Sequence, residues 1–185
     1  MRARPEDMPE PFVVTFVPGV TPGKWGRIWA DRLRREPLSL VPASSDDALA
    51  MVLDGSAHMG LLRDVPASDA LHVIPLYREQ PVVVAARDSL VAAFDALTLA
   101  ELAESGETVL PGQDAAAVEL VAAGTGVAVM PQSVARLHSR RDVVARPLSD
   151  APTTGIGLAW LVSAQHPRID TFVGIVRGRT ENSSR

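Results

Sequence analysis

The chain has 185 residues, 46% hydrophobic and 22% charged, enough for one ordinary domain or two small lobes with a buried core. It holds no cysteine, which excludes disulfides, thiolate nucleophiles and cysteine-bound metals, and its net charge of -4 is the wrong sign for a face that grips a nucleic-acid backbone. No run approaches the ~20 apolar residues of a membrane span, and the opening MRARPEDMPEP reads as neither signal peptide nor anchor, so a cytoplasmic protein is expected.

Phe12 to Val17 (FVVTFV) is a short β-branched and aromatic run between Pro11 and Pro18 and predicts a buried strand. Thr21 then stands as N-cap with Pro22 at the first helical position, and Trp25, Ile28, Trp29 and Leu33 recur at helical spacing before Pro37. Leu38 to Val41 predicts a second strand. Ser44, Ser45 or Asp46 caps a second helix, with Leu49, Val52 and Leu53 as its apolar face and Gly55 past its end. Met59 to Leu62 is a third strand. Strands alternating with short helices imply crossover connections and a parallel sheet covered on both faces.

From Leu71 to Ala86 (LHVIPLYREQPVVVAA) two strand-like runs meet at YREQP, where Pro81 argues against one uninterrupted central strand, and a crossing between lobes is expected there. Thr98 and Glu101 have capping-box spacing, and Thr108 to Leu110 reads as a strand that stops at Pro111-Gly112. Asp114 caps an Ala-rich helix through Ala123 with Gly124 past its end, and the strand Val127 to Met130 stops at Pro131. Val143 to Arg146 and Ile156 to Val162 are further strands. Pro167 opens a last helix whose Ile169, Phe172, Val173 and Val176 sit at i, i+3, i+4 and i+7.

Three segments, by their order and spacing, resemble the effector-binding domain of LysR-type transcriptional regulators: FVVTFVPGVTPGKW, ALAMVLDGSAHMGLLR, and VELVAAGTGVAVMPQSVARL with its GTGVAVMP core. The resemblance spans roughly Phe12 to Val176. It implies an α/β, two-lobed type 2 periplasmic-binding-protein-like fold with mixed, mainly parallel sheets. The expected divisions are a disordered segment 1–11, lobe I over 12–80, lobe II over 81–146, a return to lobe I over 147–178 and a disordered tail 179–185. Two departures from the family stand out. Only eleven residues precede the first strand, where regulators carry a winged helix-turn-helix and linker helix, so direct specific DNA binding is not expected. The chain also runs from Pro111 almost directly into the Asp114 helix, so the second lobe reads as abbreviated. Regulatory domains of the family pair head to tail through the first helix and second strand. A shortened second lobe therefore implies a monomer, a non-standard dimer, or pairing with a full-length regulator.

The resemblance further implies a small-molecule effector in the cleft between lobes, against loops at the carboxyl ends of strands. Helix N-termini there offer N–H groups and partial positive charge, which suits a carboxylate. Gly19, Val20 and Thr21 occupy that position for the first helix; the alternative is a plain turn and cap. Ser44 and Ser45 stand likewise at the second helix, with capping as the alternative. Arg63 follows the third strand and is placed to clamp a carboxylate bidentately, or is a solvated loop arginine. Pro111, Gly112 and Gln113 would close from the other lobe. Thr153 and Thr154 lie near the return crossing, or are turn residues after Ala151-Pro152.

Enzyme chemistry finds little support. His58, His72, His138 and His166 are too dispersed for a local metal motif, no phosphate-binding loop occurs, and Ser133 lacks a nucleophile elbow. No catalytic residue, metal or cofactor is expected. The reading is a sensor that closes on its effector by hinge motion near Arg78 to Val82 and Arg146 to Pro152. The alternatives are an enzyme on the same two-lobed scaffold, or an interaction module with a vestigial cleft.

Overall fold

The apolar strand FVVTF needs cover on both faces and partners on both edges, and it receives all four. In the computed structural model, which describes residues 10–178, β1 (Phe12–Phe16) pairs in parallel with β2 (Leu38–Pro42) on one side and β3 (Met59–Arg63) on the other. The sheet continues through β9 (Thr154–Leu161) to β4 (Leu71–Glu79), in the order β2-β1-β3-β9-β4. Parallel neighbours require crossovers, supplied by α1 (Gly23–Arg32) and α2 (Ser45–Leu53). The expected disordered ends lie outside the described residues, apart from Glu10 and Pro11, which lead into β1.

The core of this unit is aromatic at the amino end of β1. Phe12 stacks on Trp29 of α1 with centroids 5.2 Å apart and planes within 5°, and Phe172 of α6 (Ile169–Val176) tilts against both rings at 6.0 Å. Such contacts add about 0.5–1.5 kcal/mol each beyond area burial. The Trp29 indole N–H is not wasted: it donates to the Glu36 carbonyl at 2.8 Å. Thr15, the polar residue in the middle of β1, is fully buried and donates its hydroxyl to the Val41 carbonyl at 3.1 Å, which removes the cost of burying it.

The chain divides into two units. Residues up to Leu76 and from Gly157 onward form the first, Tyr77–Ile156 the second. The changeovers fall within β4 and β9, where the sequence reading set them at 80/81 and 146/147. In the second unit β5 (Pro81–Ala86) lies between β7 (Val127–Pro131) and β8 (Val143–Pro147), antiparallel to both, and β6 (Val109–Leu110) adds in parallel to β7. Every residue of β5 is buried, because both faces are covered. Val82 and Val84 pack with α4 (Ala115–Ala122) and α5 (Gln132–Leu137), while Val83 and Ala85 pack with Leu97, Leu148 and Leu102 of α3 (Leu99–Glu104). Pro81 heads β5, a strand position where a missing N–H is cheap.

The fold class is the one read from the sequence, two α/β units with mixed sheets, but the expected mainly parallel pairing does not extend to the second unit, where β5 runs antiparallel to both of its neighbours. Several details differ. The helix read as opening at Pro22 and ending before Pro37 runs from Gly23 to Arg32, and Pro22 rather than Thr21 holds the capping position. The proline ring already sits at helical angles (φ -76°, ψ -2°), so its carbonyl receives the Trp25 and Gly26 N–H groups at 2.9 and 3.0 Å and no side chain caps the helix. The last helix starts at Ile169, two residues past Pro167, and buries Ile175 in addition to Ile169 and Phe172, leaving Val173 and Val176 half-buried. Leu53 points to solvent, and Ala48 with Val52 fills the buried face of α2. The short α5 and a 3-10 turn at Leu90–Ala93 were not foreseen.

Two glycines of GTGVAVMP have separate jobs. Gly124, at φ 74°, ends α4 in a Schellman turn: its N–H reaches the Val121 carbonyl at 2.9 Å and the Thr125 N–H the Leu120 carbonyl at 3.2 Å. Gly126, at φ 153°, lies against the chain entering β6, and a Cβ there would stand 2.2 Å from the Thr108 carbonyl oxygen. Gly124→Ala is therefore expected to cost about 1 kcal/mol of left-handed backbone strain. Gly126→Ala should cost about 3 kcal/mol or more, because backbone must move. Urea unfolding of both variants checks this, and equal losses would contradict it. The caps give a second test. Ser44 caps α2 by accepting the Asp47 N–H at 3.1 Å, whereas exposed Thr21 caps nothing. Ser44→Ala should lose about 1 kcal/mol and Thr21→Ala at most about 0.5 kcal/mol. Thermal unfolding that showed the reverse order would restore Thr21 as the cap.

Candidate functional site

Because β1, β2 and β3 are parallel, their carboxyl ends share one edge of the first unit's sheet, the edge at which open α/β sheets place ligands. The chain segments that leave this edge are tied to one another. The Val17 N–H donates to the Leu61 carbonyl and the Ala43 N–H to the Phe16 carbonyl, both at 3.1 Å. Val20 closes a tight turn by donating its N–H to the Val17 carbonyl at 3.2 Å, with its side chain buried and Gly19 at φ 88°. Only glycine takes that conformation without strain. Arg63, at the end of β3, reaches back and donates Nη1 and Nη2 to the Pro18 carbonyl at 3.3 and 3.4 Å. The predicted residues Gly19, Val20, Thr21, Ser44, Ser45 and Arg63 thus lie along one edge, and Arg63 latches the first-helix turn.

The two helix N-termini on this edge differ electrostatically. At α2 the Ser44 hydroxyl accepts the Asp47 N–H and donates to the Asp47 carboxylate at 2.7 Å, and Asp46 and Asp47 fill the first turn. That end is already supplied with negative charge. At α1 there is no side-chain cap and no acid in the first turn, and the exposed Lys24 stands there instead. An anion arriving at this edge is attracted to α1 and opposed at α2. Sequence reasoning missed this asymmetry, although Lys24 against Asp46-Asp47 was in plain view. It also missed the Pro18 carbonyl as the Arg63 partner and the left-handed backbone of Asp64 (φ 45°), a strained conformation directly after Arg63.

In the second unit, Pro111, Gly112 and Gln113 follow β6 and lead to Asp114, which caps α4 by accepting the Ala117 N–H at 2.9 Å. Gly112 is left-handed at φ 97°, with space for a Cβ only in contact with Ala117. β6 runs parallel to β7 toward Pro131, which faces Pro81, so this loop leaves the sheet at the end where β5 begins. Thr153 is engaged rather than free: Arg78 donates Nε to its hydroxyl at 2.6 Å and Nη2 to its carbonyl at 2.7 Å. The Thr154 hydroxyl is buried with no hydrogen-bond partner. Gln80 donates its amide to the Leu148 carbonyl and receives the Gln132 N–H on its own carbonyl at 3.1 Å. Arg78 and Gln80, which order this end of the unit, carried no motif that sequence reasoning could have used.

A separate groove of about 690 Å³ lies along α1 and β2, lined by Trp29, Leu33, Leu38 and Leu40 with Arg34 and Arg35, and it contains none of the predicted site residues. Among the described residues, no group of three or more His, Cys, Asp or Glu could hold a metal ion, and no helix is long and apolar enough to cross a membrane.

The sequence matches the family described as LysR substrate binding domain over residues 29–114 and 109–181. No curated protein matches it in sequence. Solved structures share its fold at low identity. The effector-binding domain of a BenM variant aligns with a TM-score of 0.77 at 15% identity, over 91% of this chain and 93% of that one. The BenM effector-binding domain with its effector benzoate gives 0.74 at 16%, over 92% and 94%. A hydrogen peroxide-bound mutant of Corynebacterium glutamicum OxyR gives 0.74 at 20%, over 93% of this chain and 68% of that one. The family is one of regulatory effector-binding domains and not of enzymes. With that match spanning most of the described residues and the two-unit α/β fold shared with effector-binding domains, the chain belongs to the LysR substrate-binding domain family.

Proposed function

We propose that the chain is the effector-sensing part of a transcriptional regulator and binds a small organic anion, best a carboxylate, at the carboxyl edge of β1, β2 and β3. The observation that carries this is the α1 N-terminus: no side chain caps its first N–H groups, no acid stands in its first turn, and Lys24 is beside it. Backbone N–H groups at such an end bind an anion without further help. Gly19 lets a ligand approach the backbone, Val20 and Arg63 hold the turn in shape, and the exposed Thr21 offers a hydroxyl. Ser44 and Ser45 sit beside the edge but next to two carboxylates, so they suit an uncharged part of the ligand. In the second unit, taken by itself, Pro111, Gly112, Gln113, Thr153 and Thr154 are our candidate ligand contacts, and the Thr154 hydroxyl is buried with no hydrogen-bond partner. The effector of the BenM domain, benzoate, is a carboxylate, in line with this chemistry.

The function is sensing without turnover, and contact with DNA belongs to another polypeptide segment or partner, since the net charge of -4 gives this chain no electrostatic hold on a duplex.

A thermal-shift screen of aromatic and aliphatic carboxylates, amino acids and sugar phosphates tests the reading. A true effector at 100 times its Kd raises stability by about 2.7 kcal/mol. Lys24→Glu places an acid in the first turn of α1, which favours the helix yet repels the ligand. It should leave folding stability unchanged or raised by up to about 1 kcal/mol and weaken carboxylate affinity about fivefold. Unchanged affinity in a folded Lys24→Glu variant would move the anion elsewhere. The purified chain is also expected to give no salt-resistant, sequence-dependent mobility shift with duplex DNA, and such a shift would refute the division of labour.

A further inference from the structure

At the opposite, amino end of β1, two histidines distant in sequence share one aromatic pile. The His58 and His166 rings meet edge-on with centroids 4.4 Å apart, and both lie against Phe12, at 5.0 and 4.9 Å. Each ring also holds a backbone group. Val13 donates its N–H to His58 Nδ1 at 2.9 Å while His58 returns its own N–H to the Val13 carbonyl at 2.9 Å, so the residue before β3 is clipped to β1. Arg168 donates its N–H to His166 Nδ1 at 3.2 Å, and Ile169 its N–H to the His166 carbonyl at 3.2 Å, so this ring shapes the entry to α6. The Arg168 guanidinium is ion-paired with Glu36, ahead of β2. The clip, the pile and the ion pair hold together the starts of β1, β3 and α6.

An imidazole that accepts at Nδ1 carries its proton on Nε2; the imidazolium has N–H groups at both nitrogens and accepts nothing. Protonating His58 would turn Nδ1 toward the Val13 N–H as a second donor, and protonating His166 would do the same to the Arg168 N–H. Each charge would also arise beside the other ring and near the Arg168 cation. Among the described residues, Glu36 is committed to Arg168 and Glu10, ahead of β1, favours the charged form of His58. We propose that His58 and His166 form a proton-sensitive clasp that holds α6 on the sheet at neutral pH and releases it on acidification. Burial first, and the neighbouring imidazole second, lower the pKa of His58 from its ordinary 6.5. The sign follows: the unfolded chain takes up the proton first, so the His58 contribution to stability is complete above about 6.5 and is lost as pH falls below it.

The test is amide hydrogen exchange of the whole chain at pH 7.5 and 5.5, corrected for the intrinsic pH dependence of exchange, with imidazole resonances followed by NMR over the same range. Protection of residues 169–176 should fall at least tenfold, with the Val13 and Arg168 amide shifts tracking the imidazoles, while β5 in the second unit holds its protection. The double variant His58→Gln, His166→Gln keeps side-chain acceptors that do not titrate and should lose the pH dependence; if it does not fold, the single His58→Gln variant should show a reduced dependence. Unchanged protection of α6 in the parent chain would overturn the clasp. So would an equal loss in a folded glutamine variant, or Val13 and Arg168 amides that ignore the histidine titration.

Discussion

The parallel pairing of β1 with β2 on one side and β3 on the other is the constraint from which the first unit follows. A strand with partners on both edges and apolar residues on both faces is largely withdrawn from water, so helices must cover it and the connections must cross over it. α1 and α2 are those crossovers, and their return gathers the Val17–Thr21 turn, the Ala43–Ser45 turn and Arg63 at one edge while Phe12, His58 and His166 collect at the other. The two ends then differ in kind. The carboxyl edge presents helix N-termini and backbone donors; the amino end is a packed aromatic pile in which the hydrogen-bonding capacity of two imidazoles is tied to backbone.

Within the carboxyl edge, a small difference in local chemistry sets a large difference in character. Pro22 supplies helical angles without supplying a side-chain cap, and the α1 N-terminus keeps its partial positive charge beside Lys24. Ser44 caps α2 and two aspartates follow it, so the same kind of helix end is neutralised. The macrodipole at each terminus is comparable, but what the sequence places on it decides whether an anion is welcome. Arg63 adds shape as well as charge, since its guanidinium braces the Pro18 carbonyl and with it the turn that leads to Thr21.

The second unit reaches order by a different route. β5 has antiparallel partners on both edges, so side chains alternate between two apolar clusters, one under α4 and α5 and one under α3. Local devices fix the connections: Thr98 and Glu101 form a reciprocal capping box, with the Thr98 N–H on the Glu101 carboxylate at 2.7 Å and the Glu101 N–H on the Thr98 hydroxyl at 3.2 Å, and Asp150 takes the next free donor, the Leu99 N–H, at 2.7 Å. Arg78 then binds Thr153, and Gln80 the Leu148 carbonyl, so that the strand entering the unit is fastened to the segment leaving it.

What the sequence by itself determined was local. The β-branched run FVVTF, a cap for α2 among Ser44, Ser45 and Asp46, the cap at Asp114, the box at Thr98 and Glu101, and Gly124 after α4 each act within about four residues, so propensity and cap chemistry made them legible, while three ordered segments carried the family resemblance. Pro22 shows the limit of that reading, because two capping rules competed and the proline ring prevailed over Thr21. The tertiary structure decided everything that depends on register between distant segments. The antiparallel partners of β5, the 2.2 Å approach that makes Gly126 indispensable, the grip of Arg63 on Pro18, and the meeting of His58 with His166 are not encoded in any short window. Hydrogen bonds and packing are short-ranged forces, and a chain reveals which of its remote residues they will join only once its strands have been laid side by side.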